Sequence, residues 1–128
     1  MKFQRRAQFY ETDAMGIIHH GNHVLYMEEA RIHWLRQQKF FSEGSFFEQY
    51  NFPVLHCHVE YKSPIYFDDE IQIELEVRAL GAKIDFSYVL RTNRFEKAVA
   101  FGKTSHALMD MKTRRAVRLP LWLLDALS

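Results

Sequence analysis

One stretch constrains this chain more than any other. From about Asn22 to Gln38 apolar residues recur at helical spacing, while the segments between Pro53 and Pro120 alternate with a period of two. In the helical stretch Leu25, Ile32 and Leu35, with Glu28 or Glu29, sample one side, and Tyr26, Ala30 and Trp34 sample another. So wide an apolar girdle belongs to a helix largely wrapped by protein. Downstream, Leu55, Cys57, Val59 and Tyr61 face one way and His56, His58, Glu60 and Lys62 the other, until Pro64 ends the strand. Ile71, Ile73, Leu75 and Val77 form the next inward set, and Ile84, Phe86, Tyr88 and Leu90 the one after.

The remaining segments complete one arrangement. Phe3 to Tyr10 reads as a first strand, and Phe40 to Phe52, with Ser42, Gly44 and Ser45 among its phenylalanines, as a short helix or mobile flap over a pocket. A long strand from Lys97 to Asp110 presents Ala98, Ala100, Gly102 and Thr104, a face small enough for a helix to approach closely. A turn at 112–114, a short strand at Ala116 to Leu119 and a terminal helix of Leu121 to Leu127 opened by Pro120 follow. The predicted class is α+β: a curved antiparallel sheet of five to six strands wrapped around one long central helix, in a single domain spanning 1–128.

Such a sheet leaves an outer face and edges to be covered, and the outer positions include Val89, Val99, Phe101 and Met109. Charge excludes some partners, because 17 Lys and Arg against 16 Asp and Glu make no strong field for nucleic acid or an anionic membrane. The sole cysteine, Cys57, rules out an internal disulfide and favours a reducing compartment. Met1 to Arg6 lacks the apolar core of an export signal, and no apolar run approaches the ~18 residues of a membrane helix. A cytoplasmic protein without membrane insertion is expected.

The chemistry concentrates between Tyr10 and Arg31. The segment Tyr10-Glu11-Thr12-Asp13-Ala14-Met15-Gly16-Ile17-Ile18-His19-His20-Gly21-Asn22-His23 places an acid in a glycine-punctuated loop and delivers a histidine and an asparagine to a helix start. Free backbone N–H groups and the positive end of the dipole there suit a developing oxyanion. Read on loop chemistry alone, Asp13 closes an Asx-turn and Asn22 caps the helix.

These residues resemble the hotdog-fold acyl-CoA thioesterases of the 4-hydroxybenzoyl-CoA thioesterase and tol-pal-associated type. Asp13, Gly16, His20 and Asn22 stand at the places of that signature, as do Glu28, Ala30 and Arg31 on the helix. The likeness continues through Val59-Glu60-Tyr61-Lys62-Ser63-Pro64 and Asp68-Asp69-Glu70-Ile71, with His23 replacing the usual aromatic after Asn22. The resemblance implies hydrolysis of an acyl-CoA thioester without a cofactor. Asp13 acts as nucleophile or general base, His20 positions the acyl group, and backbone N–H groups around His20, Gly21 and Asn22 hold the oxyanion. It also implies a homodimer joined edge to edge across the sheet, often paired again into a tetramer.

Other constellations compete for roles. His56, His58 and Glu60 share a strand face and could ligate zinc, although an outward polar face has the same pattern, and no metal is expected. Glu28 and Glu29 rival Asp13, because a second branch of hotdog thioesterases carries its glutamate on this helix; Arg31, three residues on, points to a salt bridge with Glu28 instead. Tyr10 and His23 are candidates for substrate binding, His23 bearing on the shape of the acyl pocket, and Lys62, Ser63 and Lys83 are candidates for the CoA nucleotide. A hotdog dehydratase or hydratase is the alternative enzyme, but the chain lacks a His-Phe-Pro-Gly type motif. A non-catalytic acyl-CoA-binding module would be expected to have lost the Asp13, Gly16, His20 and Asn22 set.

Overall fold

A computed structural model describes residues 1–42 and 44–127, and of Ser42 the backbone only. Its organising strand is β6 (Ala100–Asp110), which hydrogen-bonds along both edges. One edge pairs with β5 (Lys83–Thr92), which leads on to β4 (Glu70–Leu80) and β1 (Lys2–Arg6). The other pairs with β3 (Val54–Tyr61) and β2 (Tyr50–Asn51), and β7 (Arg115–Val117) runs beside the end of β6. All these pairings are antiparallel. Helix α1 (Asn22–Arg36) packs on one face of the sheet, two one-turn helices, α2 (Lys39–Ser42) and α3 (Phe46–Gln49), follow it, and α4 (Leu121–Leu127) ends the described chain. This is the hotdog arrangement.

Period-two alternation explains the core. Ile71, Ile73, Leu75, Ile84, Phe86, Tyr88 and Leu90 are all buried, and each large apolar side chain so enclosed contributes roughly 1.5–3 kcal/mol. Against them α1 presents Tyr26, Met27, Ala30 and Leu35. The close approach of helix to sheet depends on Gly102, because a Cβ there would collide with the sulfur of Met27. Pairing of β3 with β6 carries a register shift between Val54 and His56, which bends the edge strand.

Several sequence expectations are corrected. The first strand ends at Arg6, not Tyr10, because the chain turns into a single 3-10 turn at Phe9–Glu11 whose entrance is held by the Glu11 carboxylate. Among the described residues seven strands replace five to six, since β2 and β7 extend the pairing of β6 at its far end. Helix α1 stops at Arg36 rather than Gln38. Residues 97–99 precede β6, and Val99 is wholly buried there, its amide bonded to Leu90 and its carbonyl to Lys62 and Ser63. Tyr61 is 47% exposed where alternation predicted core, because β3 lies at an edge of the sheet that α1 covers incompletely.

Candidate active site

Asp13 stands in a turn that it builds. Its Oδ1 accepts the N–H of Met15 at 2.8 Å and that of Ile17 at 3.4 Å, its amide donates to the carbonyl of Ile17, and Gly16 donates to its carbonyl. Gly16 has φ +80°, a conformation that glycine adopts without strain. The Asx-turn is therefore real, and it uses one carboxylate oxygen. Oδ2 has no hydrogen-bond partner among the described residues, and the side chain is half-buried. A bridge between Thr12 and Ile18 closes the loop, and Ile18 N–H bonds to Ile65 O at 2.7 Å, docking the loop on the segment that follows β3.

That docking leaves a largely apolar cavity of about 460 Å³. Asp13, His20, His23, Tyr61, Lys62 and Ser63 line it, so most sequence candidates meet in one place. His20 is exposed, its ring stacks on His19 at 4.2 Å, and its carbonyl accepts the Tyr61 hydroxyl at 2.8 Å. His23 is 3% exposed, with its ring edge-on to Tyr61 at 4.7 Å. Burial pushes the His23 imidazole down to about 4, opposed by the His20 backbone and assisted by the His20 charge. His23 is thus neutral at physiological pH.

The start of α1 differs from expectation in detail. Gly21 occupies the cap position without a side-chain cap, and its amide donates to Nδ1 of His19 at 3.0 Å. The amide of Asn22 donates to the His19 carbonyl, whereas that of His20 has no partner among the described residues. Asn22 does not cap the helix. Its Nδ2 reaches back to the carbonyls of Glu11 at 3.0 Å and His19 at 3.3 Å, stapling the loop to the helix.

Four candidates do not line the cavity: Gly21 and Asn22 at the helix start, and Tyr10 and Lys83. Tyr10 is 80% exposed and is not part of the wall. Lys83 begins β5 opposite Ala107, whereas the cavity end of that strand is Leu90 opposite Ala100; seven residues of strand separate them by ~23 Å. Lys62 and Ser63 do border the site. They also edge a depression of about 570 Å³ shared with Arg91, Lys97 and Phe101. His58 and Glu60 approach to 3.6 Å on the exposed strand, but among the described residues no group of three or more His, Cys, Asp and Glu could hold a metal. Glu28 pairs with Arg31 at 3.9 Å.

Sequence reading passed over Glu11, which is 6% exposed in the wall between the loop and α1. An acid two residues before the candidate acid was visible. Its burial was not, because the partners come from β1 and the second turn of α1.

Residues 7–127 match the thioesterase-like superfamily. The chain is 30% identical over 133 residues to a 1,4-dihydroxy-2-naphthoyl-CoA hydrolase of Synechococcus elongatus, covering 99% of this chain and 94% of that protein. It is 32% identical over 83 residues to the acyl-CoA thioester hydrolase YbgC of Escherichia coli O157:H7, covering 64% and 62%. A crystal structure of a hypothetical protein from Aquifex aeolicus superimposes with a TM-score of 0.88 at 33% identity, covering 100% of this chain and 99% of that one.

Proposed function

The chain belongs to the thioesterase-like superfamily, and on that premise we propose that it hydrolyses an acyl-CoA thioester to a carboxylic acid and free CoA with Asp13 as the reacting group. The observation that carries this reading is the division of labour within one carboxylate. Oδ1 holds the turn, and Oδ2, in the wall of a largely apolar cavity, has no partner among the described residues. A thioester lacks amide resonance and its thiol leaves with a pKa near ~8.5, so a carboxylate needs neither a metal nor a serine triad to cleave it.

Two routes use the same atom. Oδ2 attacks the thioester carbonyl, the C–S bond breaks, the CoA thiolate leaves and takes a proton, and water then cleaves the mixed anhydride to restore Asp13. Alternatively Oδ2 removes a proton from a water whose oxygen attacks the carbonyl, and the departing thiolate takes up a proton. The amide of His20, without a partner among the described residues, is the donor best suited to the developing oxyanion, whereas that of Gly21 is taken by Nδ1 of His19. The His20 ring positions the acyl group, and neutral His23 forms part of its seat. Lys62 and Ser63, with Arg91 and Lys97 across the adjoining depression, suit the phosphates of the nucleotide.

Among the described residues β3 pairs along one edge only, with β6, and its other edge supports an edge-to-edge dimer, with dimers pairing again. Val54, Leu55 and Tyr61 of that strand are about half-exposed, as are Val24 and Leu25 of α1. An acyl-CoA panel with free-thiol detection tests the activity. Thiol release from every member that is indifferent to Asp13→Asn would overturn the reading.

A further inference from the structure

Two residues before the acid lies a second carboxylate that hydrolysis does not consume. Oε2 of Glu11 accepts Nη1 of Arg5 at 2.7 Å, and Oε1 accepts the Tyr26 hydroxyl at 2.7 Å and the amide of Gln8 at 2.8 Å. Arg5 completes the cluster, with Nε 3.0 Å from Glu29 and its guanidinium 4.3 Å from the centre of the Tyr26 ring. Strand β1, the 3-10 turn and α1 meet at this one side chain.

The backbone of Glu11 reaches the other way. Its carbonyl accepts the amide of His19 at 2.9 Å and Nδ2 of Asn22 at 3.0 Å. Both flanks of the Asp13 turn are thereby held by one residue, the upstream flank through the carboxylate and the downstream flank through the carbonyl. The bonds of Asp13 stay within residues 13–17, so they orient the carboxylate inside the turn and say nothing of where the turn stands. Its placement against the start of α1 is imposed from outside. Buried ion pairs of this kind add little net stability over apolar replacements, and their use lies in fixing one arrangement among several.

We infer that Glu11 is a positioning residue for the hydrolysis, setting the distance between Oδ2 of Asp13 and the amides at the start of α1. The inference rests on the function proposed above. A misplacement of ~1 Å at a reacting group costs up to ~10²-fold in rate, which sets the scale of the effect.

The test compares three variants of the full chain, Glu11→Gln, Tyr26→Phe and Tyr88→Phe, by kcat, KM and melting temperature. Glu11→Gln keeps the size of the side chain and loses its charge; its kcat should fall by about 10- to 100-fold with KM within about twofold. Tyr26→Phe removes one donor to Glu11 and should lower kcat by about threefold or more in fully folded protein. Tyr88→Phe removes a buried hydroxyl elsewhere and should lower the melting temperature with kcat intact. Loss of kcat in proportion to unfolded protein across all three would overturn the inference and reduce Glu11 to a fold-stabilising group. Should Glu11→Gln fail to fold, a folded Tyr26→Phe with wild-type kcat overturns it equally. Failure is separable from that of the parent reading: an inactive Asp13→Asn beside a normal Glu11→Gln refutes the positioning role alone, and an active Asp13→Asn refutes both.

Discussion

Each half of α1 buries a chain of polar groups, and the two are finished differently. Toward the C-terminal end, Arg31 donates to the Tyr88 hydroxyl at 3.1 Å, Tyr88 meets Thr104 at 2.7 Å, Thr104 meets Nε2 of His106 at 2.9 Å, and Nδ1 of His106 meets the Phe52 carbonyl at 3.1 Å. Burial holds His106 below its ordinary range, and with a neutral ring one assignment satisfies every member: Nδ1 carries the proton and each hydroxyl donates onward. The neighbouring cavity of about 270 Å³ is walled by Trp34, Phe47, Phe52 and Phe86. Toward the N-terminal end the Arg5, Glu11 and Tyr26 cluster is equally satisfied, but it braces a loop whose own acid has an oxygen to spare. A saturated network makes structure, whereas a saturated network under an unsaturated group makes a reactive site.

The sharpest way to break this contrast is Asp13→Asn. The amide retains the turn and loses the charge, so kcat/KM should drop on the order of 10³-fold while stability moves by less than about 0.5 kcal/mol. Thiol release and a thermal melt measure the two quantities, and a parallel loss of both would mean that Asp13 belongs with the structural groups.

Acid should find the N-terminal half next. The His23 imidazole titrates near 4 in the folded chain against an ordinary 6.5, so between those values the unfolded state binds more protons and stability falls as pH falls. The loss grows from about pH 6.5 downward and reaches on the order of 3 kcal/mol below about pH 4. His106, lowered in the same direction, adds to it. Urea unfolding of wild type and His23→Phe from pH 7 to 4 should show a shallower pH dependence in the variant; identical slopes would refute a His23 held neutral by burial.

Tyr88→Phe probes the other half. Leaving Thr104 and Arg31 without that hydroxyl should destabilise by about 1–2 kcal/mol with the rate unaltered. A rate loss would couple the two halves and erase the distinction. The smallest effect expected is none at all: activity should survive exhaustive chelation, and a loss restored by zinc alone would move attention to His56, His58 and Glu60.

What the sequence disclosed depended on periodicity. Strands β4 and β5 and the course of α1 were legible because a residue's face follows from its spacing. Alternation in β3 was equally clear and misled about Tyr61, since spacing reports which residues share a face and not whether anything covers it. Asp13 and His20 were picked out by the resemblance, His23 as a departure from it, and Lys62 and Ser63 as strand-end candidates; the five share the lining of one cavity. Lys83 was misplaced because strand-end lysines look alike until pairing tells one end of the sheet from the other. Glu11 was hidden, its role depending on Arg5 and Tyr26, which no local pattern connects to it.

The hydroxyl of Tyr61 holds the carbonyl of His20 across 41 positions of chain, whereas the bonds inside the Asp13 turn close within four. Strand β3, which carries Tyr61, has its partner in β6, and that segment is translated only after β4 and β5. On the ribosome the two halves of the site are therefore expected to appear far apart in time. The acid's turn is able to close almost as soon as it emerges, because short loops close fast. The cavity must wait for residues past Ala100, and until then the apolar face of β3 travels unpaired, making this edge the stretch of the nascent chain most in need of protection from aggregation.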